Sequence, residues 1–250
     1  MSERANLDHG FWLWHAGLPL LLFGALAAVF ELSDWDLILS DRFFDAARGG
    51  WYLKHSWWAD GLIHRGGKYL VLATALGALG LWLGSYRWAE LLRFRHGALF
   101  MVLCIALGTG LVAAGKATIN RHCPWDYQRY GGKVPYVRLF ESPVPGHKTG
   151  HGFPAGHASG GFALTGSYFL FRRRRPRLAL LGLGAGLALG GVFGFGQLVR
   201  GAHFASHNLY SVILCWLVSL GLYAGGFSGR LHPPQAQGEA ARPRGKIPAP

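Results

Sequence analysis

Three short stretches of the chain concentrate the side chains that can do chemistry. They are residues 116–126, 146–159 and 200–207, and all three combine histidine with lysine or arginine. A histidine, whose pKa is ordinarily about 6.5, acts as a nucleophile or as an acid near neutral pH. Lysine and arginine bind anionic groups. The combination indicates phosphoryl transfer, in which one histidine attacks phosphorus and another protonates the leaving oxygen.

Four residues in these stretches are candidates for holding a phosphate group. Lys116 offers a point charge, whereas Arg121 and Arg200 each offer a planar fork of donors. The sequence Pro154-Ala-Gly-His157 places a proline and a glycine at the start of a predicted helix. The first N–H groups of a helix have no acceptor within it and suit a phosphate oxygen. We therefore expect Lys116, Arg121, Arg200 and the backbone of Gly156 to bind substrate phosphate.

The composition indicates where this chemistry takes place. Of the 250 residues, 51% are hydrophobic and only 15% are charged, whereas a soluble domain has about 25% charged residues. The net charge is +13, but the basic residues lie between apolar runs and not along one soluble face. This distribution favours contact with anionic lipid headgroups over nucleic acid. We expect an integral membrane protein that has membrane lipids, and no nucleic acid, as partners.

Six apolar segments are long enough to cross a bilayer, which takes roughly 17 to 25 residues of helix. They are Phe11–Phe30, Tyr69–Tyr86, Ala98–Gly115, Phe153–Phe171, Leu178–Leu198 and Leu209–Phe227. The predicted fold is an all-α, polytopic bundle of six transmembrane helices that forms one membrane domain over residues 1–228.

The remaining segments complete this prediction. Residues 31–68 mix aromatic and charged side chains, which is typical of interfacial helices in the first outer connection. Residues 229–250 are rich in proline and polar residues, so we expect a disordered cytoplasmic tail. Glycines recur every fourth residue from Gly182 to Gly194, a stripe that predicts close packing of this span against another helix.

The alternation of spans brings the three stretches to one side of the membrane. Lys116 ends the third span, His157 opens the fourth, and His203 lies just before the sixth, so all three emerge on the same face. The connection at residues 172–177 holds five arginines, which is typical of a cytoplasmic loop. We therefore expect a multi-pass protein of the inner (plasma) membrane, with its active site facing the periplasm or exterior.

The order of these residues resembles the type 2 phosphatidic acid phosphatase superfamily of membrane lipid phosphatases. Its pattern is K-x6-R-P, then P-S-G-H, then S-R-x5-H-x3-D, on a six-span fold. Here the matching positions are Lys116 with Cys123-Pro124, then Pro154-Ala-Gly-His157, then His203-x3-His207. The resemblance implies that His203 is the nucleophile and forms a phosphohistidine, that His157 is the general acid, and that Lys116 binds phosphate. It also implies that no metal or other cofactor takes part.

The sequence departs from this pattern at several positions. The pattern's first arginine, its serine, its Ser-Arg pair and its aspartate are replaced by Cys123, Ala155, Gly196-Gln197 and His207. We expect Arg121 and Arg200 to restore the lost positive charge from shifted positions, and His207 to orient His203. A neutral imidazole supplies no negative charge, so Asp126 or Glu141 would have to provide it.

These observations predict a phosphoric ester hydrolase that cleaves a lipid phosphate monoester or pyrophosphate. Two alternatives remain open. His203 and His207 are spaced as two zinc ligands on one helix face, with His157, His122 or Cys123 as a third, which would suit a metal-assisted membrane hydrolase. The replaced arginines and aspartate also fit a non-catalytic protein that binds lipid phosphate on the same fold, although binding alone does not require both His157 and His203.

Overall fold

The structure, a computed structural model, describes residues 7–232, and these are mostly helical. The helices are α1 His9–Leu32, α2 Trp35–Asp41, α3 Trp57–Gly84, α4 Ala89–Thr118, α5 Gly156–Phe162, α6 Ser167–Phe171, α7 Pro176–Leu198 and α8 Ala205–Leu231. The only sheet in the described part of the chain is a hairpin of β1 Phe44–Asp45 and β2 Gly50–Trp51.

Five of these helices are long and apolar enough to cross a membrane, namely α1, α3, α4, α7 and α8. They correspond to five of the six predicted spans. The fourth predicted span, Phe153–Phe171, is divided: α5 and α6 are joined by a 3₁₀ turn, Ala163–Gly166. This segment begins beside Lys116 and ends beside Arg93, so it runs from one end of the bundle to the other. Its helices are too short for the six-span count to be read from length alone.

The divided segment occupies the centre of the bundle, where α5 packs against α3, α4, α7 and α8. The glycine stripe of α7 makes this approach possible. A Cβ on Gly190 would lie 2.1 Å from Cδ1 of Phe162, and a Cβ on Gly161 would lie 2.3 Å from the backbone nitrogen of Gly190. The stripe therefore packs against the central segment, as the spacing of its glycines predicts.

The first connection contains less interfacial helix than expected. Only α2 is a separate helix there; it is followed by the hairpin, and residues 57–66 form a π-helical extension of α3. Ser56 begins this extension, because its Oγ accepts a hydrogen bond from the backbone N–H of Ala59 at 3.3 Å. Hydropathy predicts the second span at Tyr69–Tyr86, whereas the helix begins at Trp57 because its polar first turns are also helical.

The two long connections lie against each other at one end of the bundle. Arg129 binds the carboxylate of Asp41, with an N···O distance of 2.6 Å, and Arg138 binds Asp34 at 2.7 Å. A buried aromatic cluster contains Trp51, Tyr127, Tyr130 and Phe204. Because Phe204 immediately precedes α8, this cluster lies at the start of that helix.

At the C-terminal side, α8 continues to Leu231, and His232 is buried with its Nε2 3.0 Å from the carbonyl oxygen of Phe169. The ordered helix thus passes the predicted domain boundary at residue 228 by a few residues. The rest of the predicted disordered tail, residues 233–250, lies outside the described residues.

Candidate active site

The first two chemical stretches are joined by hydrogen bonds between their backbones. The N–H of Gly152 donates to the carbonyl of Arg121 at 2.5 Å, and the N–H of Gly150 donates to Oδ1 of Asn120 at 2.7 Å. A ring nitrogen of His151, Nδ1, lies 2.8 Å from the carbonyl oxygen of Lys116. Residues 150–152 therefore lie along the end of α4 and hold the start of α5 beside Lys116.

Lys116 and Gly156 are in direct contact. A Cβ on Gly156 would lie 3.3 Å from Cδ of Lys116 and 3.6 Å from its Nζ. The side chain of Lys116 therefore lies beside the start of α5, where the first backbone N–H groups of the helix have no acceptor within it. Both groups favour an anion, and the structure thus brings together two of the predicted phosphate ligands.

His203 lies in the loop between α7 and α8 and is almost fully buried, with 5% of its surface exposed. Its Nδ1 lies 2.7 Å from the carbonyl oxygen of Gly152. A carbonyl can only accept, so Nδ1 carries the hydrogen and the neutral ring has its lone pair on Nε2. Burial lowers the pKa of His203 well below its usual 6.5, and the neighbouring His207 and Lys116 act in the same direction. The ring therefore stays neutral, which is the form a nucleophile requires.

His207 lies in the first turn of α8, with its ring centroid 5.8 Å from that of His203. It is also buried, and its Nδ1 has no hydrogen-bond partner among the described residues. The ring lines a small cavity of about 20 Å³ together with Asp36, Arg121 and Ser206. A cavity of this size holds about one water molecule.

Asp36 of α2 is the buried carboxylate of this cavity. It accepts hydrogen bonds from the backbone N–H of Ser206, at 2.9 Å, and from its hydroxyl, at 2.5 Å. Burial raises the pKa of Asp36 to about 6, although the bonds from Ser206 oppose the shift.

Asp126 and Glu141, the acids expected near His207, instead accept hydrogen bonds from the backbone N–H groups of Cys123 and Arg138. Asp36 is not predicted from the sequence, because it lies in the first connection, far along the chain from the three chemical stretches.

His157 lies in the first turn of α5, and its contacts are with α3 and α7. Its Nε2 lies 3.1 Å from the carbonyl oxygen of Ile63, and its ring centroid lies 4.7 Å from that of His64 and 4.8 Å from that of Phe193. Since a carbonyl accepts, Nε2 carries the hydrogen. No hydrogen bond joins His157 to His203 in the described part of the chain, although the two are near enough for electrostatic interaction.

A chain of polar contacts that the sequence does not predict extends from His157 to Asp60. Nε2 of Gln197 donates to Nδ1 of His64 at 2.7 Å, and Oε1 of Gln197 accepts from Arg200 at 3.4 Å. Arg200 also forms an ion pair with Asp60, at 2.7 Å. The sequence does contain one signal for this chain: Asp60 and His64 are four residues apart, a spacing that brings two side chains to the same face of a helix. In this structure Arg200 is close to the histidines but paired with a carboxylate.

Arg121 is bound within the second long connection. Its guanidinium donates to the backbone carbonyls of Asn120, Leu139 and Glu141, and only 8% of the residue is exposed. Arg121 therefore links distant parts of the second long connection to each other. Its predicted role in binding phosphate stays a prediction.

Two further features bear on what the site can bind. An apolar groove of about 530 Å³ between α4 and α8 reaches Gly115, Phe153 and Pro154, next to the contact of Lys116 with Gly156. Within residues 7–232, no three histidine, cysteine, aspartate or glutamate side chains are grouped as a metal ion requires, so the geometry does not favour the metal-assisted alternative.

Comparison with known proteins adds one finding. The family model of the PAP2 superfamily matches residues 97–228, more than half of the chain. The matched region runs from α4 to α8 and includes Lys116, His157, His203 and His207, but not Asp36, Asp60 or His64. No curated protein and no solved structure matches the chain.

Proposed function

The chain belongs to the PAP2 superfamily, and on that premise we propose that it is a membrane phosphatase that hydrolyses a lipid phosphate monoester or pyrophosphate through a phosphohistidine intermediate. One observation carries the proposal. His203 is buried and neutral, its Nδ1–H is bound by the carbonyl of Gly152, and Lys116 lies nearby, beside Gly156 at the start of α5. A neutral imidazole beside an anion-binding group is the arrangement that attack on phosphorus needs.

The reaction has two steps. Nε2 of His203 bonds to phosphorus while the bond from phosphorus to the leaving oxygen breaks, and that oxygen takes a proton from His157. Because Nε2–H of His157 is bound by Ile63, the transferred proton comes from Nδ1 of the doubly protonated ring, and His157 is left neutral with its hydrogen on Nε2. Water then attacks phosphorus and gives a proton back to Nδ1 of His157. Inorganic phosphate departs, and His203 returns to its neutral form.

Charge on the transferred group is stabilised by Lys116 and by the N–H of Gly156. Arg200 contributes positive potential from its pair with Asp60, and Arg121 contributes it from the second connection, where it also holds the backbone in place. His207 packs beside His203 and limits the movement of its ring.

The surroundings of the site support a lipid substrate. The apolar groove between α4 and α8 adjoins Lys116, so an acyl or prenyl chain in it would leave its phosphate at the histidines.

We propose that α5 and α6 together form a sixth span, and that the domain of residues 1–228 lies in the inner (plasma) membrane. The five arginines of residues 172–177 then face the cytoplasm and His203 faces the periplasm or exterior.

The test is phosphate release by the purified protein in detergent from a panel of lipid phosphates, with and without chelator. Release that survives chelation, is abolished in His203→Ala and is retained in His55→Ala is the expected result; His55 is an exposed histidine of the first connection. Release by His203→Ala would refute the nucleophile. Release that depends on added zinc would favour the metal-assisted alternative, and binding without release from any lipid would favour the non-catalytic one.

A further inference from the structure

A second groove lies at the opposite end of the bundle from His203. It has a volume of about 350 Å³ and is formed by α3, α4, α6 and the end of α8. Its apolar wall includes Leu81, Met101 and Leu170, and its rim carries Arg93, His96 and Arg230.

The groove lies far from the phosphatase site. Along α4 it is separated from Lys116 by about 30 Å, at 1.5 Å per residue, so the groove has no part in that site.

The charge of this groove is not compensated. No aspartate or glutamate is among the described residues that line it, and neither Arg93 nor Arg230 forms an ion pair within residues 7–232. Their guanidinium groups lie over the rings of Phe94 and Phe227, at 4.6 and 5.9 Å from the ring centroids.

Neighbouring arginines at the same end are used within the fold. Arg95 donates to the hydroxyl and carbonyl of Ser85, and Arg172 donates to the hydroxyl of Tyr223. Arg93 and Arg230 therefore differ from them in presenting a free charge above an apolar wall.

We propose that this groove binds an anionic phospholipid, with its phosphate held by Arg93 and Arg230 and one acyl chain lying along Leu81, Met101 and Leu170. Two features select a lipid over a free anion: the apolar wall lies directly below the charges, and the groove opens at the ends of helices that are apolar enough to cross a membrane. Basic pockets between membrane helices are a recurrent form of lipid headgroup site. The inference does not rest on the phosphatase activity.

The experiment titrates the delipidated full-length protein in detergent with phosphatidylglycerol or with phosphatidylcholine of the same chains, and measures bound lipid by native mass spectrometry. Wild-type protein is expected to bind phosphatidylglycerol about tenfold more tightly than phosphatidylcholine. The double variant Arg93→Ala/Arg230→Ala should lose this preference. The matched control Arg87→Ala/Arg177→Ala removes the same charge from exposed positions outside the groove and should retain it.

A third variant tests the apolar wall without changing the charge. Gly97 lines the groove, and a Cβ there would lie 3.6 Å from Leu170, an ordinary contact. Gly97→Leu should therefore fold, fill part of the groove and weaken phosphatidylglycerol binding. Equal loss in both double variants would overturn the proposal in favour of diffuse attraction. Displacement of the lipid by glycerol 3-phosphate at a similar concentration would overturn it in favour of a free-anion site, and wild-type protein without preference would also refute it.

Discussion

Nδ1 of His203 lies 2.7 Å from the carbonyl oxygen of Gly152, so a backbone group orients this imidazole. The pattern that the sequence resembles has an aspartate four residues after the nucleophile, where this chain has His207. A carbonyl fixes the tautomer as a carboxylate does, but it stabilises an imidazolium less because it carries only a partial charge. Loss of the aspartate is therefore compatible with a correctly oriented nucleophile.

Gly152→Ala should reduce turnover by displacing this carbonyl. An added Cβ would lie 2.5 Å from the carbonyl atoms of His122, so the segment must shift, and a shift of about 1 Å in a reacting group can cost about 10²-fold in rate. We expect a fall of that order in kcat for phosphate release with little change in KM. Gly221→Ala in α8, where a Cβ meets nothing within 4 Å, serves as the control. Wild-type kcat in Gly152→Ala would show that the carbonyl does not position His203.

Lys116→Ala should weaken substrate binding. Hydrogen bonds to charged groups contribute about 1.5–3 kcal/mol, so kcat/KM for phosphate release should fall by roughly 10- to 100-fold. Lys148→Ala removes the same charge from an exposed position in the second chemical stretch and should have little effect. If the two variants lost activity equally, general electrostatic attraction would account for the role of Lys116.

The buried His203 should make stability depend on pH. Its folded-state pKa is far below 6.5, whereas the unfolded residue binds a proton at about 6.5. The unfolded state therefore binds more protons below pH 6.5, and the free energy of unfolding falls as pH decreases from there, by up to about 1.4 kcal/mol per pH unit.

The measurement is the thermal midpoint in detergent between pH 8 and pH 5. The midpoint of the wild type should fall more steeply below pH 6.5 than that of His203→Gln, and the exposed-residue variant His55→Gln should follow the wild type. Parallel curves for wild type and His203→Gln would contradict a neutral buried His203.

Adjacent glycines of α7 should respond differently to the same substitution. Gly190→Leu places side-chain atoms into Phe162, since even a Cβ would lie 2.1 Å from that ring, whereas a Cβ on Gly191 meets nothing within 4 Å. Overpacking typically costs about 1–3 kcal/mol, so Gly190→Leu should lower the thermal midpoint or prevent folding. Gly191→Leu should not. Equal midpoints would mean that α7 does not pack on α5 through this face.

Much of the architecture follows from local sequence alone. A helix crosses a bilayer when an apolar run is long enough, and this condition involves no partner. Because successive spans run in opposite directions, their order along the chain is enough to predict that Lys116, His157 and His203 lie at one end of the bundle. The run at residues 153–171 was the difficult case, because it is rich in glycine and buried among other helices, and the structure divides it into two short helices.

What only the tertiary structure decided is which groups each of these side chains contacts. His203 meets Gly152, His157 meets Ile63 and His64, and Arg121 is bound by the carbonyls of its own connection. The sequence could not reveal these contacts, because the bonds from His203 and His157 join residues dozens of positions apart. A hydrogen bond is directional and acts over about 3 Å, so its existence depends on how helices pack and not on the residue type or its spacing along the chain.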